Sequence, residues 1–506
     1  MVGKKLGILF LAAVVLAFLS GYFIQNLAPG FTPGNSDDSF DLITDYLIDN
    51  YYYVLDNETI DQAYIDSLYQ VVETYARKNN DPYTRVFAIP QTSEVRYDEV
   101  YVGMGISIEI LEDSLRIIDV NKESDAFNKV LPNDVIIGVS TGSEDILFDE
   151  LENSEDMLTF LSSQGKTQQN LIIQTPDGII ETIEILITEI ETPSVVAKTI
   201  NHPNIGYIKI NQFNAFMDAT YSPGTSFLFK EALSQLETQK LLISPETKTL
   251  ILDLRDNPGG ALTALHNAYA DQNIHIPGII QELLPRSLEK PIFSMVPRDP
   301  NQIRTFNNTR LEEKPYDIKV LVNEHSASAS EVLAATLFTH GGYTVYGKPT
   351  FGKNVFQSTV TLFNYKGIEY GLTYTEGMWF YDGDKNVMDD PIPVIDINQE
   401  GYLTLDIPMY AGELGYDDVS LNLITYQKFF NVYYEDSLLT PLREDGYFDL
   451  NFESVIETYQ IEMDLEVTKT LNRETAMSIF ETLSIKKTSL DDDIQLQALI
   501  DLIINS

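Results

Sequence analysis

Three short stretches hold the residue types from which covalent catalysis could be built. Residues 323–331 (NEHSASASE) read as a turn between a buried strand at 318–322 and a helix at 332–339. Small residues on a strand-to-helix turn let a hydroxyl protrude, while nearby N–H groups stay open at the positive helix end, where an oxyanion is stabilised. The same letters fit a structural role, because Ser328-Ala329-Ser330-Glu331 spells S-x-x-E, a capping box. Residues 350–357 (TFGKNVFQ) carry Lys353 in a Gly-bearing turn and Gln357 four positions on, a spacing that shares one face in a helix or a strand. A lysine acts as a general base only where burial lowers its pKa from ~10.4 towards neutrality, and otherwise it is an ordinary surface cation. Residues 253–260 (DLRDNPGG) end a strand in two flexible glycines at the carboxyl edge of a sheet, where α/β ligand sites gather; a plain turn would also suffice.

The elements that must position these stretches alternate. From Asn204 onward, IGYIKI, TLILDLR and IKVLVN read as strands, and FLFKEALSQL, ALTALHNAYA and SEVLAATLF as helices. Strands separated by helices predict right-handed βαβ units and a largely parallel sheet. Upstream, from Tyr101, five short β-branched runs (GISIEI, SLRIIDV, DVIIGVS, NLIIQT, IIETIEILI) with one helix near 156–161 predict a small, partly open barrel of ~90 residues. Apolar residues at helical spacing over 40–78 predict two amphipathic helices, ended by a turn at Asp81-Pro82-Tyr83-Thr84. Residues 217–226 and 284–313 read as extra loops. Residues 400–484 are acidic and Tyr-rich with no clear assignment, and DDDIQLQALIDLI reads as an amphipathic helix behind an acidic N-terminus.

Composition narrows the function classes. The 506 residues carry 33 Lys+Arg against 76 Asp+Glu, a formal charge of −43, which repels phosphate backbones and argues against a nucleic-acid partner. A hydrophobic fraction of 44% is enough for packed cores. The absence of Cys removes disulfides, thiolate nucleophiles and Cys-ligated metals, and the five histidines show no tight metal-ligand spacing, so no metal or cofactor is expected. Residues 6–24 form an uninterrupted apolar run behind Lys4 and Lys5, long enough at ~28 Å to cross a bilayer. The positive-inside rule then puts everything after Ile24 outside the cytoplasm, in a single-pass membrane protein. A cleaved signal peptide, which would release a secreted protein, is the competing reading.

Taken together and in this order, the motifs resemble the carboxyl-terminal processing proteases, the S41 serine peptidases, from about residue 40 to 396 and again in DDIQLQALIDLI. The resemblance implies that Ser328 is the nucleophile and that Lys353, 25 residues on, is its base. It further implies that Gln357 supports the lysine and that the N–H groups of Ala329 and of Gly260, in preference to Gly259, form the oxyanion hole. It implies a crotonase/ClpP-like α/β protease core and a PDZ domain whose carboxylate loop, Gly103-Met104-Gly105-Ile106, would hold a free C-terminus, with the peptide added as a strand along residues 107–110. In that PDZ, Asn133 stands where the family has glycine, a tolerable change because Asn also visits positive φ. The expected organisation is multidomain α/β: anchor or signal peptide 1–28, linker 29–39, helical domain 40–98, PDZ 99–190, protease core 191–397, unassigned acidic insertion 398–484 and C-terminal helix 485–506. The expected partners are proteins or peptides with exposed apolar C-termini, the membrane, and no nucleic acid, with self-association left open.

Departures from the family pattern leave rivals. His325 revives a Ser–His pairing, although three residues before Ser328 it is poorly placed for the hydroxyl. Residues 389–393 (DDPIP) match the family only in part, which leaves that sheet edge open. A membrane-tethered PDZ scaffold with an inactive protease-like domain is the alternative function, and a different hydrolase on the enoyl-hydratase-like fold is a third.

Overall fold

The structure, a computed structural model, describes residues 57–89, 99–151, 154–162, 165–200, 202, 204–216, 223–238, 249–266, 269–270, 275–284, 291–307, 316–365, 368–397, 401–435 and 437–505. The apolar run 6–24, the linker and the first of the two expected helices lie outside these residues. Among the described residues no helix is long and apolar enough to cross a membrane. The chain forms two compact units, Met1–Gln91 with Gln357–Thr375 and Thr92–Phe356 with Glu376–Ser506.

In the first unit α1 (Asn57–Lys78) is the second expected helix. The turn after it forms as read: Asp81 accepts the N–H of Tyr83 at 2.9 Å and the hydroxyl of Thr84 at 2.6 Å, which launches β1 (Arg85–Ile89).

The second unit opens with β2 (Val100–Gly103), β3 (Ile106–Ile110), β4 (Leu115–Val120), β5 (Val135–Ser140), β6 (Asp145–Leu147), α2 (Ser154–Leu161), β7 (Gln168–Gln174), β8 (Ile180–Leu186) and β9 (Thr188–Glu191). All five expected strands and the helix are present. The sheet runs in the order β3-β4-β5-β7-β8, with β6 on β5, and β2 pairs with β9. Alternate residues of β4 (Leu115, Ile117) point inward, as a sheet with one covered face requires. Asn133 adopts φ 82°, the conformation glycine would take.

The α/β half follows with β10 (Val195–Thr199), β11 (Ile205–Ile210), α3 (Gly224–Thr238), β12 (Thr249–Asp253), β13 (Tyr269–Ala270), β14 (His275–Ile276), α4 (Ile279–Leu283), β15 (Phe293–Pro297), β16 (Arg304–Phe306), β17 (Asp317–Val322), α5 (Ala329–Gly341), β18 (Thr344–Gly347), β19 (Val355–Tyr365), β20 (Ile368–Tyr381) and β21 (Ile395–Asp396). The central sheet has the order β10-β11-β12-β17-β18-β21, parallel except for the β10–β11 pair. Every residue of β12 is buried, the mark of a central parallel strand covered on both faces. β21 closes the edge that the partial match at 389–393 left open.

Two expectations need correction. The stretch ALTALHNAYA is not a helix but a single 3-10 turn (Leu262–Ala264) followed by β13. The chain returns across it instead: Ile280 donates its N–H to the Leu265 carbonyl at 3.1 Å, and a Cβ on Gly278 would stand 2.2 Å from the Leu265 backbone, so no helical turn fits there. Residues 284–313 are not simply a loop, because they contain the antiparallel pair β15–β16, and β15 also pairs with residues 377–381 of β20.

The unassigned tail folds as α6 (Leu423–Tyr433), α7 (Leu450–Glu462) and α8 (Arg473–Thr488), followed by α9 (Ile494–Ile504). Its aromatic residues have a purpose. Phe429, Phe430, Phe452 and Tyr459 form a ring cluster that is continuous with the core of the 99–190 module. Polar ties reinforce the joint: Asn133 donates to the Tyr410 carbonyl at 2.7 Å, and Arg473 grips buried Asp134 through two bonds of 2.7 and 2.6 Å. Replacing Arg473 with Ala strands the Asp134 carboxylate in the interior, and denaturant unfolding should register a loss of about 3–5 kcal/mol.

Candidate active site

The loop between β17 and α5 is tied to the 253–260 turn by its own small residues. Asn323 accepts the Asp256 N–H at 2.9 Å and donates back to the Asp256 carboxylate at 2.8 Å. The Ser326 hydroxyl donates to the Leu254 carbonyl at 2.8 Å, and that of Ser330 to the Asn257 carbonyl at 2.9 Å. Two of the three serines of SASAS thus have structural work. Ser328 differs from both. It is half-buried with φ 56° and ψ −114°, a conformation that costs a non-glycine residue about 1–3 kcal/mol and turns its side chain off the path of the helix.

Glu331 explains how that conformation is held. Its side chain is fully buried, and one oxygen accepts the N–H of Ser328 at 2.8 Å. That bond is the carboxylate half of the capping box read in the sequence. The same oxygen accepts the N–H of Lys353 at 2.9 Å, and the other accepts that of Gly352 at 2.6 Å. Burial pushes the Glu331 carboxyl above its ordinary range, against the lowering pull of these N–H bonds. The box therefore spans two loops.

The lysine turn is fixed from its other side by Trp379, the chain's single tryptophan, whose indole N–H donates to the Lys353 carbonyl at 2.8 Å. The Asn354 carbonyl accepts the Trp379 backbone N–H at 3.0 Å. Phe356 is buried beneath, with the Arg304 guanidinium 5.2 Å above its ring, and Lys353 is half-buried. Gln357 begins the segment that belongs to the other compact unit, and its part in the site rests on the family resemblance.

Gly259 and Gly260 both sit at positive φ, 104° and 134°, where a side chain would be strained. They differ in what their N–H groups do. Gly259 donates to the Asn257 side chain at 2.9 Å, whereas the Gly260 N–H is bonded to no other described group. Bonds from Phe213 N–H to Gly259 O (2.9 Å) and from Ala261 N–H to Phe213 O (2.7 Å) fix its direction. Gly259 abuts the serine, since a Cβ there would lie 2.8 Å from Ser328 Cβ and 3.0 Å from the N–H nitrogen of Ala329, the first residue of α5. A cavity of about 570 Å³, lined by residues 212–215 and 258–261, lies against this turn.

His325 is 69% exposed and places Nδ1 3.1 Å from the Asp256 carboxylate, so the structure engages it with Asp256. In the 99–190 module, Gly103 ends β2, Met104 is buried, and Gly105 takes φ 73° where a Cβ would fall 2.3 Å from Ser124 Cβ. Ile106 opens β3, whose second edge pairs with no described strand. The sequence reading missed the clamp roles of Asn257, Asn323 and Trp379. A lone tryptophan and an Asn on each side of the paired turns were the available signals.

Residues 204–391 match the family model described as Peptidase family S41. The carboxy-terminal processing protease CtpB of Bacillus subtilis (strain 168) is 27% identical over 478 residues, covering 90% of this chain and 89% of that protein. A probable CtpA-like serine protease of Staphylococcus aureus (strain MRSA252) is 25% identical over 479 residues, covering 88% and 82%. Among solved structures, the photosystem II D1 C-terminal processing protease aligns with 71% of this chain and 86% of its own at a TM-score of 0.37 and 18% identity. The PDZ domain of a carboxy-terminal protease from Vibrio cholerae, in complex with peptide, aligns with 18% of this chain and 98% of its own, with a TM-score of 0.16 and 17% identity.

The close approach at Gly259 can be probed directly. Gly259→Ala drives a methyl group to 2.7 Å from the Ala327 carbonyl at an unfavourable φ, and calorimetry should show a lowered melting point together with loss of any reactivity at Ser328.

Proposed function

From its likeness to the carboxyl-terminal processing proteases of peptidase family S41, we propose that this chain is a serine endopeptidase that works through a Ser328–Lys353 dyad. One observation carries the reading: a single buried carboxylate oxygen, on Glu331, accepts the backbone N–H of both Ser328 and Lys353. Two loops 25 residues apart in sequence are thereby joined at one atom.

In this mechanism neutral Lys353 takes the proton from Ser328 Oγ as the oxygen attacks the scissile carbonyl, and later gives it to the leaving amine. Water then hydrolyses the acyl-serine, with the same amine as base. The oxyanion is received by the N–H groups of Gly260 and Ala329, the former chosen because that of Gly259 is already committed to Asn257. The cavity along residues 212–215 accommodates the substrate beside the reacting bond. Substrates are proteins with apolar C-termini, bound as an added strand on the open edge of β3 with their carboxylate at residues 103–106. The 6–24 run would hold the enzyme to the membrane with its catalytic part outside the cytoplasm.

The test uses a protein ending in an apolar tail. Ser328→Ala and Lys353→Ala should each lower cleavage about a thousandfold or more, with unchanged unfolding midpoints. A Ser328→Ala protein that still cleaves at the wild-type rate refutes the assignment.

A further inference from the structure

Helix α9 covers the second face of the central sheet, packing Leu496, Leu499 and Ile500 against Ile205, Tyr207 and Ile251. Packing accounts for those positions but not for the start of the helix. There Asp493 and Gln495 reach the Arg255 guanidinium, 238 and 240 residues away in sequence. Nη1 of Arg255 donates to Asp493 at 3.0 Å and to Gln495 at 3.0 Å. Nη2 donates to Asp493 and, at 2.6 Å, to Asp253, while Nε donates to Asp253 at 3.0 Å. Asp253 also accepts the Tyr207 hydroxyl at 2.8 Å. A guanidinium has five N–H donors, and here all are taken by groups that are themselves buried. Burial works against the Asp253 charge, yet the Arg255 charge and bonds hold its carboxyl down at about 2.

Docking a helix does not require an ion cluster of this kind, since well-packed apolar residues stabilise as much or more. What the cluster offers is direction. Arg255 immediately precedes the turn 256–260, which carries the Gly260 N–H. Asp493 is fixed in its turn, because it also caps α9 by accepting the Leu496 N–H at 2.9 Å, and Gln495 is tied to the Ile397 carbonyl at 3.1 Å. We infer that Asp493, assisted by Gln495, is a positioning residue of the active site: through Arg255 it sets the 256–260 turn and so aims the oxyanion donor. The inference rests on the serine-peptidase reading above, and it makes the head of α9 part of the catalytic apparatus.

The experiment compares Asp493→Asn, Gln495→Met and Leu499→Ala in the full chain. Asp493→Asn should lower kcat by roughly ten- to a hundredfold with KM unchanged, as expected when an interaction made only in the transition state is misaligned. Gln495→Met should do the same to a smaller extent, and it covers the case in which the Asp493→Asn protein does not fold. Leu499→Ala removes packing without touching Arg255, so its melting point falls while kcat holds at temperatures well below the transition. Independently of turnover, hydrogen exchange at the amides of Asp256, Asn257, Gly259 and Gly260 should accelerate in Asp493→Asn and Gln495→Met but not in Leu499→Ala. Wild-type exchange at those amides, or a kcat loss that merely follows melting point across the three variants, overturns the inference. Undiminished cleavage by Ser328→Ala would instead sink the peptidase reading, while the exchange data would still report on the link between Asp493 and the turn.

Discussion

A carboxyl group with no access to solvent is the constraint around which this molecule is arranged. Glu331 is buried and its oxygens are answered by N–H groups, so those groups must come to it from two loops and stay there. That demand explains why Ser328 can persist at a strained backbone angle. The strain is local, while the three N–H bonds that oppose it come from both sides of the site. Around the carboxyl group, each neighbouring side chain has one assignment: Ser326 and Ser330 pin the Ser328 loop, Asn257 and Asn323 shape the glycine turn, and Trp379 anchors the Lys353 loop.

The parallel sheet makes such economy workable. Strands β12 and β17 end side by side, so the turns that follow them, 253–260 and 323–328, meet without any long excursion. Apolar cover on both faces leaves the carboxyl edge as the place where polar side chains can converge. The cavity at residues 212–215 and 258–261 lies along that same edge, beyond the end of β11.

Much of this was legible from residues alone, for physical reasons. Strands β11, β12 and β17 are compact β-branched runs between turn residues, and α5 follows a small-residue turn, so local pattern and global fold agree there. The stretch at 261–270 failed because its helical periodicity was overridden by a neighbouring chain segment that claims the Leu265 carbonyl. The long pair β19 and β20 escaped notice because both strands mix Thr and Tyr with weak alternation, and β20 also carries Gly371 and Gly377, a signal too diffuse to read. The tail helices were hidden by their aromatic content, which suits strands as well as helices until a partner surface is known. At the site, the sequence revealed Glu331 as a helix cap, but no local pattern could disclose its second loop. The reach from Asp493 to Arg255 likewise leaves no trace in spacing.

The common interior of the 99–190 module and helices α6–α8 also bears on how such a protein can diversify. Because Phe127 meets Phe480 with ring centres 5.4 Å apart and Asp134 leans on Arg473, neither piece is a free-standing cassette. A recombination event that replaced the 99–190 module with a foreign one would leave the tail with an oily, wetted flank and an orphaned guanidinium. Change in this module must therefore come gradually, along exposed loops and the open rim of β3, while the two halves of that shared interior drift in concert.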